Sequence, residues 1–258
     1  MIRRITKIRK AGLTVGMTAL VCLGLAACEK EGEEKAAEPR VYVDFSFDDV
    51  EDGADVPGVA VEGAGFKVVK DENGNGWAVS KNPADWSAIY FGTPDQDGNE
   101  IYLKDFCIET KVYLPVDNAG IENDGGIPMF VAAEGRYDAA LAWGTEKSCI
   151  NLWKAGNTDG GPIATNDREA YPDRGWVADF SLESGQEYVY TIIGRYRADE
   201  DENQYVTLYM FIDDQLVLEQ EVPYWPGGFG LRAWQSDIRY DYIRVSDIPA
   251  VWPDGREG

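Results

Sequence analysis

The chain has 258 residues with 46 acidic and 24 basic side chains, a formal net charge of −22, and no histidine. A length of this order suits one folded domain of the 200-residue class with tails. The charge disfavours polyanions such as nucleic acid or an acidic polysaccharide as partners. The absent imidazole excludes Ser-His-Asp and Cys-His catalysis and any histidine-ligated zinc or copper site.

Arg3, Arg4, Lys7, Arg9 and Lys10 precede an uncharged apolar run, Ala11–Ala27, that ends in small residues. This is the order of a secretory signal, and the run is short for a membrane-spanning helix of about 20 residues. It closes on Leu25-Ala26-Ala27-Cys28, which resembles the bacterial lipobox. The resemblance implies cleavage before Cys28, a diacylglycerol on its thiol, and a protein anchored to a membrane without spanning it. Glu29, where aspartate would imply inner-membrane retention, points to an outer-membrane or cell-surface location. An ordinary signal peptide or a short membrane anchor is the alternative. Residues 28–40 carry five glutamates and little to bury, so they read as a solvated acidic tether.

Val41-Tyr-Val-Asp-Phe-Ser-Phe-Asp48 alternates apolar with polar residues as a half-buried strand does. The carboxylate-dense turn Asp49–Gly53 follows. Phe66–Val69 and Trp77–Ser80 flank an Asn-Gly turn and predict a hairpin. Trp86–Phe91 is a further strand. In Phe106–Tyr113, Phe106, Ile108, Thr110 and Val112 are expected to face inward, with Cys107, Glu109, Lys111 and Tyr113 outward. Pro115–Gly126 reads as a loop, and Ile127–Ala133, Tyr137–Trp143 and Cys149–Trp153 as strands. Asn157–Arg174 is a turn-rich insertion of a length that is often functional. Glu187–Ile193, Tyr205–Ile212 and Leu216–Val222 resume the strands. The runs Phe229–Trp234 and Ile238–Val245, separated by Gln235-Ser236-Asp237, have the pattern of a closing hairpin, in which Asp241 would point inward beside Ile243. A carboxylate there needs an arginine, backbone donors or a cation. About a dozen strands without a helical period after residue 27 give an all-β, two-sheet antiparallel sandwich over residues 41–247, with 248–258 as a C-terminal tail.

The ending Gly230-Leu231-Arg232-Ala233 followed by Asp241-Tyr242-Ile243-Arg244-Val245 resembles that of concanavalin A-like lectin/glucanase jelly rolls, including laminin G-like modules. Asp105-Phe106 is similar to the start of their central strand, and Asp213–Val217 to a late laminin G-like hairpin. The resemblance implies a jelly roll and carbohydrate as the ligand class. It also implies a structural Ca2+ where an N-terminal acidic turn meets the last strand. By position Asp48 or Asp49 and Asp241 match, and hard oxygen ligands suit that ion; a solvated acidic turn explains the same residues.

Sugar sites pair aromatic platforms with amides and carboxylates. The candidates are Tyr113, Trp143, Asn151, Trp153, Trp176 and Trp234, with Glu109 and Arg232 as polar partners; core or edge packing is the competing explanation for each tryptophan. A glycosidase needs two carboxylates, and the acid-rich run of the glucanase branch is missing. Catalytic candidates are therefore Glu109 combined with Asp138 or Glu146 from other strands. A weaker similarity extends to bacterial 3-keto-disaccharide hydrolases, which share the Gly-Leu-Arg ending. Cys107 and Cys149, bound for an oxidising compartment, form a disulfide candidate that would close a loop of roughly 40 residues, worth about 4 kcal/mol. The expectation is a lipid-anchored sandwich that binds a neutral glycan, with a glycoside hydrolase or a non-enzymatic adhesion protein as alternatives.

Overall fold

A computed structural model describes residues 38–56, 60–116, 123–131, 136–143, 148–154, 161–167, 169–176 and 178–258. The chain divides into units Met1–Ala36 and Ala37–Gly258, and all described residues belong to the second. The export signal, Cys28 and Glu146 lie outside them.

The strands, in chain order, are β1 (Val41–Ser46), β2 (Ala60–Gly63), β3 (Phe66–Lys70), β4 (Gly76–Ser80), β5 (Trp86–Phe91), β6 (Phe106–Leu114), β7 (Asn123–Val131), β8 (Tyr137–Trp143), β9 (Cys149–Lys154), β10 (Ala164–Thr165), β11 (Gly175–Trp176), β12 (Gln186–Ala198), β13 (Gln204–Ile212), β14 (Gln215–Pro223), β15 (Gly228–Trp234), β16 (Arg239–Tyr240) and β17 (Tyr242–Ser246). They form a nine-stranded sheet ordered β14-β13-β12-β6-β16-β4-β3, with β17 joining β6 to β1, and an eight-stranded sheet ordered β11-β10-β9-β8-β7-β15-β5-β2. Every pairing is antiparallel except the short β10–β11 contact. The result is an all-β jelly-roll sandwich.

Inward residues of both sheets make one core in which Phe66, Phe106, Ile108, Phe130, Phe229 and Tyr240 are almost wholly buried. Strand β6 follows the predicted alternation: Phe106, Ile108, Thr110 and Val112 are fully buried, while Glu109, Lys111 and Tyr113 are half-buried. The β3–β4 hairpin is also as expected, with Lys70 opposite Gly76. The first strand meets the last, Phe45 lying opposite Ile243. Strand β7 takes in Asn123–Gly126, read from sequence as the end of a loop because its Asp-Gly-Gly is poor in strand formers.

Four expectations are corrected. The runs around Gln235-Ser236-Asp237 are not a hairpin. β15 lies in the eight-stranded sheet between β5 and β7, whereas β16 and β17 lie in the nine-stranded one. The three residues cross between sheets, with Gln235 at φ 48° and the Ser236 hydroxyl donating to the Asp124 carbonyl (2.8 Å).

Asp241 does not point inward. Tyr240 pairs with Val112 and Arg244 with Glu109, so the run holds one more residue than β6 does opposite it. This bulge turns the Asp241 carboxylate to the outer face, where it meets Lys111 Nζ at 2.8 Å.

Cys107 and Cys149 are not bonded to each other, because each faces away from the core on a different sheet, Cys107 between core Phe106 and Ile108 and Cys149 beside core Ile150. Lastly, residues 248–258 are no loose tail. A bridge from Val251 to Glu257 folds them so that Trp252, 5% exposed, packs on Tyr209 and Phe211 (ring centroids 4.8 and 6.1 Å) and, with Ile193, covers Cys107. Burial, and then the charge of Glu109, push that thiol up to about 12.

Candidate functional site

Successive residues of a strand face opposite sides of its sheet, and residues directly paired across strands share a side. In the eight-stranded sheet the core takes Leu231, Ile89, Ile127, Leu141 and Ile150. The other face therefore carries their neighbours in the sequence.

One row across that face runs Ala88, Arg232, Gly126, Ala140, Asn151, Thr165. The next holds Tyr90, Gly230, Pro128, Asp138 and Trp153. On the opposite side of the first row, Trp86 and Asp124 flank Trp234. Glycine and alanine thus floor the middle of the face, and polar and aromatic side chains stand around them.

A charged cluster lies on this floor. Arg232 is 4% exposed and donates from Nη2 to Asp124 Oδ2 (3.1 Å). Its guanidinium sits 5.0 Å from the Trp86 ring centre. Arg136 stands 5.1 Å from the same indole, so two cations share one ring. Arg136 also reaches Asp138 Oδ1 (3.3 Å) and donates to the Tyr90 hydroxyl (2.9 Å). Burial works against the Arg232 charge, yet the Asp124 and Asp138 carboxylates outweigh it and hold the group above its ordinary range.

The cluster is incompletely hydrogen-bonded. Among the described residues, Nε and Nη1 of Arg232 meet no acceptor, and Asp138 Oδ1 receives no hydrogen bond. Buried groups of this kind are normally satisfied. The floor of the face therefore holds two guanidinium donors and a carboxylate oxygen that are buried and short of hydrogen bonds, beside the half-buried rings of Trp86, Tyr90 and Trp153. Trp234, 46% exposed, stands at the rim.

The structure splits the sequence candidates between two faces. Arg232, Asn151, Trp153, Trp234 and Asp138 share the face just described, where the Thr165 hydroxyl donates to Asn151 Oδ1 (2.6 Å). Trp143 and Trp176 are placed by their backbones alone, opposite Asn123 and Thr165. Glu109 and Tyr113 lie on the outer face of the nine-stranded sheet. There Glu109 accepts from the Tyr242 hydroxyl (2.8 Å) and Tyr113 sits between Trp77 and Arg239. Glu109 and Asp138 are thus on opposite sides of the sandwich and form no catalytic pair. Trp86, Tyr90, Asp124 and Arg136 were missed. For Asp124 and Arg136 the one sequence signal was charge, the first within β7 and the second just before β8.

The calcium candidates come near one another through backbone, Phe47 N–H donating to the Asp241 carbonyl (3.3 Å). Their carboxylates are engaged elsewhere: Asp48 Oδ1 accepts from Gly76 N–H (2.7 Å), and Asp241 pairs with Lys111. Asp49 is exposed. Among the described residues no three acidic or cysteine side chains converge on a metal position.

No family model and no curated protein sequence matches the chain. Solved structures do. A carbohydrate-binding module, CBM66 from Bacillus subtilis, superposes with a TM-score of 0.50 at 14% identity, over 76% of this chain and all of that one. The alginate lyase Aly36B gives 0.49 at 9% identity, over 83% and 99% of the two chains. The exoplasmic/lumenal domain of VIP36, in a Ca2+/Man3GlcNAc-bound form, gives 0.40 at 11%, over 71% and 83%. At such identities the likeness is one of fold, and the chain is similar to the jelly rolls of carbohydrate-handling proteins.

Proposed function

We propose that the non-core face of the eight-stranded sheet binds a neutral glycan. The observation that carries this reading is the buried Arg232 guanidinium with Nε–H and Nη1–H unmatched beside Asp138 Oδ1. Sugar hydroxyls both donate and accept, so they complement that set, while ring faces stack on exposed indoles. The cluster already balances Arg136 and Arg232 against Asp124 and Asp138. A neutral ligand adds no net charge where charge is costly. The carbohydrate-binding module of like fold is consistent with this ligand class.

Calorimetric titration with a panel of neutral oligosaccharides, and with alginate as the acidic comparison, tests the proposal. Binding to a neutral glycan that weakens at least about tenfold in Arg232→Lys, which loses the forked donors, supports it. No binding across the neutral panel, or binding of alginate alone, sinks it. Glu109 and Asp138, on opposite sides of the sandwich, supply no glycosidase carboxylate pair; reducing-sugar release abolished by Glu109→Gln would favour the hydrolase reading instead.

The anchoring belongs to the same proposal: a lipid on Cys28 holds the sandwich to the outer membrane or cell surface. Incorporation of a labelled fatty acid that disappears in Cys28→Ala would support it, and incorporation that persists would refute it. A structural Ca2+ at the Asp48, Asp49 and Asp241 turn is tested by chelation. A melting temperature indifferent to EDTA rules the ion out.

A further inference from the structure

Tyr240 belongs to the nine-stranded sheet, yet its hydroxyl is bonded to the other one. The side chain is fully buried and crosses the core, its ring edge-on to Phe66 at 6.0 Å. Its oxygen accepts from Gly126 N–H (2.8 Å), donates to the Arg232 carbonyl, and lies 3.2 Å from the Gly126 carbonyl.

Gly126 and Arg232 are direct partners in the β7–β15 ladder, so the phenol binds both sides of one seam at a single rung. Gly125 makes the approach feasible. A Cβ there would come 2.7 Å from Ile238 side-chain carbons and 3.0 Å from the Tyr240 oxygen. Two residues of the open cluster spring from this seam, Arg232 itself and Asp124, which pairs with Trp234 two rungs along.

Building on the glycan-binding reading of that face, we propose that Tyr240 is a positioning residue. Its hydroxyl clamps the backbones of β7 and β15 so that the Arg232 guanidinium is held against Asp124 with Nε–H and Nη1–H turned to the ligand. It touches no ligand itself.

Tyr190 is a matched comparison, since it is also wholly buried, lies near Tyr240 and Asp124, and has a hydroxyl with no hydrogen-bond partner among the described residues, so its loss removes a phenol oxygen from the same region without removing a seam bond. Tyr240→Phe and Tyr190→Phe remove the same atom from the same sheet. Affinity for the glycan is measured by calorimetry, and exchange of the Arg232 Nε–H by nitrogen-15 NMR. The expected result is an affinity loss of up to about tenfold in Tyr240→Phe, the cost of ordering on binding an Arg232 side chain that is no longer held beforehand, with faster Nε–H exchange. Tyr190→Phe should change neither.

Wild-type affinity and exchange in Tyr240→Phe would overturn the assignment while leaving the glycan reading intact. If the wild-type protein binds none of the glycans, that reading fails, and the exchange comparison alone decides the role of Tyr240. Should Tyr240→Phe not fold, Gly125→Ala, whose methyl crowds the phenol off the seam, is expected to speed Nε–H exchange; exchange at the wild-type rate would overturn the proposal.

Discussion

On the outer face of the nine-stranded sheet, Lys111 is held between Asp241 (2.8 Å) and Glu187 (3.3 Å), Glu109 accepts from Tyr242, and Trp252 seals Cys107 beneath the C-terminal segment. On the outer face of the eight-stranded sheet, Arg232 keeps two N–H groups unmatched at 4% exposure, over a floor of glycine and alanine. Both faces mix arginine or lysine, carboxylates and aromatic rings. The first ties its charged groups to one another and leaves only neutral atoms, Thr191 Oγ1 and Trp252 Nε1, without a hydrogen bond among the described residues, whereas the second leaves two N–H groups of a charged guanidinium so. Composition alone does not separate the two surfaces; the separation lies in whether a buried charge is left incompletely bonded.

The strongest way to sharpen this contrast is Arg232→Ala. It removes one end of the buried Arg232–Asp124 pair, a change that costs about 3–5 kcal/mol, while Asp138 keeps Arg136. Urea denaturation should show this, together with lost glycan binding. A loss below about 1 kcal/mol would mean that the cluster is solvated and the contrast false.

Trp252→Ala should cost about 3 kcal/mol through the cavity it leaves and expose the Cys107 thiol, with glycan affinity unchanged. Impaired binding at constant fold would show that the two faces communicate. Glu109→Gln is a smaller change, expected within about 0.5 kcal/mol for a partly exposed position and without effect on binding. Loss of binding in that variant would move the ligand to the opposite sheet.

The last test concerns the thiols. Dithiothreitol should leave the melting temperature unchanged, since no bridge joins Cys107 to Cys149. The folded protein keeps the Cys107 proton up to about 12, whereas an unfolded thiol loses it above about 8.5. The folded state binds the extra proton, so this contribution to stability is complete below about 8.5 and falls as pH rises from there toward 12. Cys107→Ala should flatten that part of the stability profile, read by denaturation at pH 8 and at pH 10.

Much of the sandwich was legible because strand alternation is a local signal. Phe106, Ile108, Thr110 and Val112 declared the inner side of β6, and Asn73-Gly74 declared the β3–β4 turn. Pairing across the sandwich was not legible. Gln235-Ser236-Asp237 serves a hairpin or a crossing between sheets equally well, since both need the same turn-formers, and only the partners of β15 and β16 decide. Asp241 was misread for a related reason: one extra residue inverts every side chain beyond it, and a bulge leaves no mark in composition.

The candidate site was half visible. Arg232, Asn151, Trp153 and Trp234 stood out by residue type. Trp86 and Asp124 matter only because register brings them beside Arg232, from strands more than a hundred residues apart in the case of β7 and β15. Glu109 and Tyr113 were plausible by the same criteria and belong to the other face.

The ring shared by Arg136 and Arg232 has a practical consequence. An indole's emission shifts with the electric field across it, and Trp86 has the guanidinium carbons of Arg136 and Arg232 at 5.1 and 5.0 Å from its ring centre. Any molecule that draws either guanidinium toward itself alters that field, so occupancy of the face is written into the colour and brightness of one of the eight tryptophans. The protein thereby carries its own optical gauge, readable without a label once the other seven are silenced.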